Sequence, residues 1–473
     1  MKLIRFAAGA LLVAALVQPA VLLAQVPGLE ERIDAVFLDF EESPSPGCAV
    51  GVIRDGSFLF QKGYGYANLE TATRNSPETI FRIGSTSKQF TAAAMVLLEQ
   101  DGVLSLDDDI RRLLPEMPEY DATITIRHLL THTSGLRDYL TLMYLAGKRD
   151  DDFYTDDEVL DIIGRQQGLN FLPGEEYLYS NSGYFLLSQI VKRASGMSLR
   201  RYAAENIFEP LGMRNTHFHD RHTEVVVGRA DGYAPEEDGF QKSMTTLGMI
   251  GDGGVFTSVS DLLQWDRNFY DPRLGGQEFL QRMLKRGILN NGDSLPYALG
   301  LRHGIYRGLA TVSHGGAFVG FRAEMMRFPT VNTSIAVLCN VSNSNPTRRA
   351  MRVADIVLEN FLGSSDDGGI STGVQSNGRA VADAAVPPPE PYVGRYFSRE
   401  LNVEYEIRAA GDGVELAVGN DLDGPLLMTL PEVLVKPESV VTLRFFAGSA
   451  GSGQYGGFFL DAGRVRNVRF ERR

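Results

Sequence analysis

The chain has 473 residues, and at roughly 150 residues per domain this length predicts two or three folded units. Hydrophobic residues make up 44% of the sequence and charged residues 22%, values that exclude a collagen-like, disordered or polytopic membrane protein. Acidic residues outnumber basic ones 59 to 46, for a formal net charge of -13, which argues against a nucleic-acid surface. The 2 cysteines are too few for a disulfide framework or a four-thiolate zinc site.

Residues 1–24 have the three-part layout of a secretory signal peptide. Lys2 and Arg5 precede a long apolar run, and the small residue Ala24 offers a cleavage site before Gln25. An uncleaved membrane anchor is the alternative, because the apolar run is just long enough to cross a bilayer. We therefore expect a periplasmic or secreted mature protein that can associate with the cell envelope.

After this segment, strand-like runs alternate with amphipathic helices. The apolar runs 48–53 and 58–60, separated by an Asp-Gly pair, predict a β-hairpin. Apolar residues at helical spacing predict one helix that begins near Thr86 and another that follows Asn181. The apolar run 334–339 is typical of a central strand. Strands near both ends with helices between them predict an α/β layer fold in which the terminal strands share one sheet.

The composition changes twice further along the chain. Residues 364–391 are rich in Gly, Ser, Asp and Pro, which is typical of a flexible linker. Residues 392–473 contain mostly alternating apolar runs separated by Gly- or Asp-containing turns, which predict a small antiparallel sheet or barrel. We therefore expect a large domain over residues 25–363 and a small β domain at the C-terminus.

Two short motifs carry candidate catalytic side chains. Ser85-x-x-Lys88 stands at the predicted start of a helix, and this spacing places the hydroxyl and the amine on one face. A lysine that is partly desolvated beside a serine can lose its proton and act as the base that activates the hydroxyl. Tyr179-Ser-Asn181 precedes the second helix, where a phenol can relay protons and an amide can hold a substrate.

A third motif, His314-Gly315-Gly316, precedes a strand-like run, where glycines let a substrate backbone approach a sheet edge. In this order the three motifs resemble those of the penicillin-recognising serine enzymes, which include β-lactamases and D-alanyl carboxypeptidases. Three longer segments are similar to those of the class C β-lactamase-like branch, which contains penicillin-binding proteins, D-aminopeptidases and esterases. These segments are 129–136, 210–213 and 251–262.

The resemblance implies a β-lactamase/transpeptidase-like fold, with an antiparallel sheet flanked by helices, a helical lobe and a C-terminal lipocalin-like β-barrel. It implies that Ser85 is the acylated nucleophile and that Lys88 and Tyr179 share general acid and base work. Asn181 would orient the substrate, and the backbone N–H groups of Ser85 and Ala317 would form the oxyanion hole. This chemistry requires no metal and no organic cofactor.

Position 314 departs from the family members that cleave penicillins, which carry a lysine there. A neutral imidazole offers no fixed charge to a substrate carboxylate at pH 7. His314 therefore favours small amide, peptide or ester substrates, as in the D-aminopeptidase and esterase branch, over antibiotics. Arg302 or Arg322 is the alternative source of a cation.

The alternative function is a penicillin-binding or cell-wall-sensing protein that acylates with little turnover. The sequence leaves the oligomeric state open.

The resemblance also implies that the first and last strands of the sheet lie side by side, which makes Cys48 and Cys339 neighbours. We expect two buried free thiols, because cross-strand geometry is often poor for a disulfide, and a disulfide is the alternative. Two groups of histidines have a sequence spacing that resembles metal-binding motifs, and for both groups we expect structural roles. They are His128 with His132, and His217 with His219 and His222.

Overall fold

The computed structural model describes residues 28–42, 44–149, 152–363, 384–419, 422–448 and 453–473. The expected signal peptide, residues 1–24, lies outside this described part, and so do residues 364–383 of the expected linker. Within the described ranges, no helix has the length and apolar character needed to cross a membrane.

An antiparallel sheet forms the centre of the N-terminal domain. The strands of this domain are β1 Cys48–Arg54, β2 Ser57–Tyr64, β3 Tyr66–Asn68, β4 Thr73–Arg74, β5 Phe81–Arg82, β6 His217–Phe218, β7 Tyr233–Glu236, β8 Gly239–Lys242, β9 Val255–Thr257, β10 Arg302–Tyr306, β11 Leu309–Phe318, β12 Phe321–Phe328 and β13 Thr333–Cys339. The strand order of the main sheet is β10-β11-β12-β13-β1-β2. The first and last strands of this domain, β1 and β13, are therefore neighbours, as the family resemblance implies.

Helices cover both faces of this sheet. They are α1 Leu29–Asp34, α2 Lys88–Gln100, α3 Ile126–Leu130, α4 Tyr139–Leu145, α5 Asp156–Gly164, α6 Asn181–Ser195, α7 Leu199–Ala203, α8 Glu209–Leu211, α9 Val259–Arg267, α10 Gly276–Leu284 and α11 Pro346–Val357. Helices α1 and α11 pack on one face, and α9 packs on the other face. A helical lobe in which α2 contacts α6, α7 and α10 stands beside the sheet.

Two local predictions have clear structural outcomes. The predicted hairpin forms between β1 and β2, and its Asp55-Gly56 turn has positive φ at both residues, 51° and 72°, as the type I′ turn requires. The helix predicted near Thr86 begins with the 3₁₀ turn Gly84–Ser87 and continues as α2. Its spacing predicts one buried face, but α2 lies in the core and its polar first turn, which includes Lys88, is buried as well.

The C-terminal residues form a closed antiparallel barrel, which confirms the prediction of a small β domain. Its strands are β14 Gly394–Ser398, β15 Val403–Ala410, β16 Gly413–Ala417, β17 Gly424–Leu430, β18 Val433–Val435, β19 Val441–Ala447, β20 Tyr455–Ala462 and β21 Val465–Arg472. Alternate side chains such as Tyr405, Phe458 and Phe470 fill its interior. Ala385 exchanges backbone hydrogen bonds with Met428, so pairing with the barrel begins before residue 392.

The barrel docks on the N-terminal domain through buried polar contacts. Arg137 and Glu400 form an ion pair of 2.6 Å in which both side chains are almost fully buried. The Arg137 guanidinium also donates to the backbone carbonyls of Arg466 and Asn467, at 2.8 and 2.9 Å. The Tyr405 hydroxyl donates to the carbonyl of Leu145 at 2.6 Å. These contacts hold strand β21 and the turn before it against the helical lobe.

Cys48 and Cys339 form a disulfide, so the expectation of two free thiols is wrong. The physical reason is the register of the sheet. Strands β1 and β13 are antiparallel, Cys48 lies directly opposite Cys339, and their Cα atoms are 4.0 Å apart. At this separation two directly opposed side chains on one face of a sheet meet.

We expect both cysteines to be unreactive towards a thiol reagent in denaturant until a reductant is added. Because the disulfide links residues 291 positions apart, replacing both cysteines by Ala should lower the free energy of unfolding by about 2–4 kcal/mol. Thiol titration and guanidinium unfolding measure the two effects. Two thiols that titrate in denatured, unreduced protein would contradict the bond.

Candidate active site

Ser85 and Lys88 lie together at the start of the central helix. Ser85 belongs to the 3₁₀ turn that leads into α2, and helical spacing carries Lys88 to the same side. Lys88 Nζ is 3.3 Å from Ser85 Oγ. It also donates to Asn181 Oδ1 at 2.9 Å and to the carbonyl oxygen of Asp252 at 2.6 Å. The structure thus brings together the Ser-x-x-Lys pair and the amide of the second motif.

Burial changes the acid–base character of Lys88. Its side chain has no solvent exposure. Desolvation lowers the pKa of Lys88 to about 7, opposed in part by the Asp252 charge and assisted by the Arg464 charge. A large fraction of the molecules therefore carries a neutral amine at neutral pH, and a neutral amine can accept the Ser85 proton.

Tyr179 covers this pair. Its ring centre is 4.8 Å from Lys88 Nζ, and its buried hydroxyl lies beside Ser85 without a hydrogen bond of standard geometry to a described residue. Burial raises the pKa of Tyr179 well above its ordinary value. The phenol therefore stays protonated at neutral pH and can donate a proton.

Asp138 and His132 hold the loop that carries Tyr179 and Asn181. The backbone N–H of Asn181, the first residue of α6, donates to Asp138 Oδ2 at 2.7 Å. The backbone N–H of Ser180 donates to His132 Nδ1 at 3.2 Å, and the His132 ring packs 4.1 Å from that of Tyr179. Burial keeps the pKa of His132 well below its ordinary value, so this imidazole is a neutral acceptor.

His314 lies on β11 with both ring nitrogens engaged. Its Nε2 is 2.9 Å from the Tyr297 hydroxyl, and its Nδ1 is 2.6 Å from the carbonyl oxygen of Gly315. Because a carbonyl only accepts, Nδ1 carries the proton and Nε2 accepts from Tyr297. Burial, with the Lys88 charge, lowers the pKa of His314 to about 3. The imidazole is therefore neutral across the physiological range and supplies no cation.

Glycines let the Ser85 turn lie against β11. A Cβ on Gly316 would be 1.9 Å from the carbonyl oxygen of Ile83, and a Cβ on Gly84 would be 2.8 Å from the backbone nitrogen of Ala317. The Thr86 hydroxyl ties the two segments together by donating to the carbonyl of His314 at 3.1 Å. The backbones of Ser85 and Ala317 therefore belong to adjoining segments, as an oxyanion hole requires. Gly315 faces the opposite side, towards Glu324.

Asp252 is a neighbour of the site to which sequence reasoning assigned no role. Its carbonyl oxygen accepts from Lys88, and its carboxylate accepts from the Tyr139 hydroxyl at 3.1 Å. The Thr91 hydroxyl fixes the same loop by donating to the carbonyl of Gly251 at 2.7 Å. The only signal in the sequence was the glycine-rich segment 251–262, which marks a special backbone shape but not a lysine acceptor.

Arg464 is the second residue that sequence reasoning missed. It lies in the turn between β20 and β21 of the barrel, and its guanidinium stands 4.9 Å from the centre of the Tyr179 ring. Its Nη1 is 3.9 Å from Asp138 Oδ2. Of the two arginines expected as alternative cations, Arg322 donates to backbone carbonyls of the β11–β12 turn. Arg302 lies on β10, and its charge acts on His314 and Tyr177. The barrel thus adds Arg464 on another side of the site.

The histidines whose spacing resembles metal-binding motifs make structural contacts, and among them His132 packs against Tyr179 at the site. His128 accepts from the backbone N–H of Thr125 and so caps α3. His217 lies on β6, with its Nε2 3.2 Å from His219 Nδ1. In the described part of the chain, no group of three or more His, Cys, Asp or Glu side chains is arranged to hold a metal ion.

Residues 33–358 match the Beta-lactamase family. The chain is 28% identical to a D-aminopeptidase of Gluconobacter oxydans (strain 621H) over 421 residues, which are 89% of this chain and 73% of the relative. It is 31% identical to penicillin-binding protein 4* of Bacillus subtilis (strain 168) over 326 residues, which are 64% of this chain and 70% of the relative.

The fold is similar to that of the octameric penicillin-binding protein homologue from Pyrococcus abyssi, with a TM-score of 0.62 and 24% identity. The alignment covers 93% of this chain and 98% of that one, so the likeness in fold includes the barrel. Because the family match covers the three catalytic motifs, from Ser85 to Gly316, this chain belongs to the Beta-lactamase family and is a serine hydrolase.

Proposed function

We propose that this protein is an exported hydrolase that cleaves amide and peptide bonds, and esters, through an acyl-enzyme on Ser85. We propose D-amino acid derivatives, rather than antibiotics, as its substrates. The observation that carries the proposal is the fully buried Lys88, whose Nζ lies 3.3 Å from Ser85 Oγ. Similarity to a D-aminopeptidase along 89% of the chain supports the choice of substrate.

In the acylation step, neutral Lys88 accepts the proton of Ser85 as Oγ attacks the substrate carbonyl carbon. The backbone N–H groups of Ser85 and Ala317 stabilise the oxyanion, and Asn181 orients the substrate. The protonated Tyr179 donates to the leaving amine as the carbon–nitrogen bond breaks. The lowered pKa of Lys88 and the raised pKa of Tyr179 support Lys88 as the base and Tyr179 as the acid of this step.

Deacylation uses the same groups in reverse. Tyr179, now the phenolate, removes a proton from a water molecule that attacks the ester carbonyl of the acyl-enzyme. The ester bond to Ser85 Oγ breaks, and Lys88, now protonated, returns the proton to this oxygen. The cycle restores both groups and balances without a cofactor.

Export is the part of the proposal that concerns location. The N-terminal layout of a signal peptide motivates it, and a periplasmic or secreted location follows. The disulfide between Cys48 and Cys339 supports it, because such bonds persist mainly in oxidising compartments.

The test compares turnover with trapping. Purified protein should hydrolyse p-nitrophenyl acetate and D-alanine p-nitroanilide over many cycles, and a fluorophosphonate should label Ser85, as located by mass spectrometry. Stoichiometric labelling by a penicillin without turnover of either substrate would favour the penicillin-sensing alternative. A fluorophosphonate adduct on another serine would refute the proposed nucleophile.

A further inference from the structure

One turn of the barrel reaches the Ser85 site. Gly463 and Arg464 form the tip of the hairpin between β20 and β21, with Ala462 paired to Val465 behind them. The Arg464 guanidinium and Lys88 Nζ lie near one aromatic ring, 4.9 and 4.8 Å from the centre of Tyr179. A residue from the second domain therefore belongs to the rim of the catalytic site.

The backbone of this tip is held rigidly. The carbonyl oxygen of Arg464 accepts from Asn170 Nδ2 at 2.9 Å and from the backbone N–H of Asp138 at 3.4 Å. Asn170 Oδ1 accepts from the backbone N–H of Arg466 at 2.8 Å. Beside it, Arg137 holds the carbonyl of Arg466. The hairpin is therefore preorganised, and the position of Arg464 does not depend on its own side chain.

The Arg464 side chain, in contrast, is available for binding. It is 42% exposed, and its guanidinium makes no hydrogen bond to any residue that the structure describes. Its one ion pair, with Asp138, is long at 3.9 Å, and the same carboxylate oxygen already accepts from the backbone N–H of Asn181. Several guanidinium donors thus remain for a ligand at the mouth of the site.

The charges that face Arg464 leave room for an anion. Asp138 is the nearest carboxylate and is nearly fully buried beneath the Tyr179 loop. Lys88 is partly neutral at pH 7 because burial lowers its pKa to about 7, and the lowered pKa of His314 keeps that imidazole uncharged. Arg464 therefore supplies a fixed positive charge on the barrel side of this rim. Arg302 supplies a second one on the sheet side, where its charge acts on His314 and Tyr177.

We propose that Arg464 binds a carboxylate group of the substrate, so that the preferred substrates of Ser85 are anionic amides. This inference rests on the proposed function and makes its substrate class more specific. It replaces the preference for neutral substrates that the lack of a lysine at position 314 suggests. The barrel, rather than the third motif of the catalytic domain, supplies the cation. A planar guanidinium suits this role because it binds both oxygens of a carboxylate.

Two matched pairs of substrates test the proposal and distinguish the two places that a carboxylate can occupy. N-succinyl- and N-acetyl-D-alanine p-nitroanilide differ by a carboxylate on the acyl side. N-acetyl-D-alanyl-D-alanine and its C-terminal amide differ by a carboxylate on the leaving group. We expect wild-type protein to favour the anionic member of one pair by about tenfold in kcat/KM, the scale of one partly exposed charge-assisted contact. This preference should weaken with added salt.

The Arg464→Gln variant should lose this preference, and Arg464→Glu should favour the neutral member. Arg466→Gln is the matched control, because Arg466 lies two residues away, has a similar exposure of 38% and pairs with Glu176 outside the site. It should keep the wild-type ratio. Melting temperatures of all variants should stay close to that of the wild type, since backbone atoms hold the hairpin.

Two results would overturn the carboxylate site alone, and two others would overturn the proposed function as well. The first is equal rates within both pairs for wild-type protein, and the second is an Arg464→Gln variant that slows both members of each pair equally. In the second case, a shifted pH profile would identify Arg464 as a residue that acts through Lys88. If wild-type protein turns over none of the four substrates, or if Ser85→Ala keeps the activity, the proposed function fails and the carboxylate site fails with it.

Discussion

Ser85→Ala should reduce hydrolysis of every substrate by at least about 10⁴-fold, the scale seen when a serine nucleophile is removed. The variant lacks the oxygen atom on which the proposed acyl-enzyme forms, whereas the proposed oxyanion hole and binding contacts remain. The fold should be retained, because the Ser85 turn is anchored by its neighbours. Thr86 bonds to β11, and Ser87 Oγ accepts from the backbone N–H of Val255 at 3.0 Å.

The measurement is kcat/KM on an ester and an amide, together with fluorophosphonate labelling. Ser87→Ala is the matched control, because Ser87 stands in the same turn and its hydroxyl has a structural partner rather than Lys88. It should keep activity within a few-fold and lose some thermal stability. Activity of Ser85→Ala that matches the wild type would refute the nucleophile and with it the acyl-enzyme.

Much of this site could be predicted because its spacing is local. Ser85 and Lys88 are three residues apart at a helix start, so helix geometry alone places them together. The β1–β2 hairpin is equally local, since its Asp-Gly turn fixes the register of both strands. The contact between Lys88 and Asn181 is long-range, and the sequence pointed to it through the resemblance to a family.

The disulfide could not be predicted from the residues, because it depends on a register set across the whole domain. The family resemblance implied that Cys48 and Cys339 lie on adjacent strands. Only the observed strand pairing shows that the two residues lie directly opposite each other. A shift of one residue would have turned one sulfur to the other face of the sheet.

The sequence did not predict that Asp252 and Arg464 lie at the site, and the reason differs between the two residues. Asp252 binds Lys88 through its backbone carbonyl, and every residue has such a group, so its side chain gave no signal. Arg464 reaches the site because the barrel docks through the buried Arg137–Glu400 ion pair. Alternating strands predict a barrel, but they do not predict which of its turns faces another domain.

The activity should depend on pH through Lys88. In the proposed mechanism the base is the neutral amine of Lys88, whose pKa is lowered to about 7. We therefore expect kcat/KM to fall about tenfold per pH unit below that value and to level off above it. Lys88→Met should lose about 10²–10⁴ in kcat/KM, the usual contribution of a general base, and lose this pH dependence. Lys88→Arg should also be inactive, since its guanidinium stays protonated. A wild-type profile that is flat down to about pH 5.5 would contradict Lys88 as the base.

The lowered pKa of Lys88 also predicts how the free energy of unfolding depends on pH. This prediction can be tested without measuring catalytic activity. In the folded protein Lys88 releases its proton near pH 7, whereas in the unfolded chain it holds the proton to its ordinary value of 10.5. Between these values the unfolded state binds more protons, so the free energy of unfolding should rise with pH in wild-type protein. Lys88→Met should flatten this rise, and Lys192→Met, at an exposed lysine on α6, should leave it unchanged. Melting temperatures measured between pH 7 and 9 for the three proteins check the difference. If wild type and Lys88→Met respond equally to pH, Lys88 is not the neutral base that the Ser85 site requires.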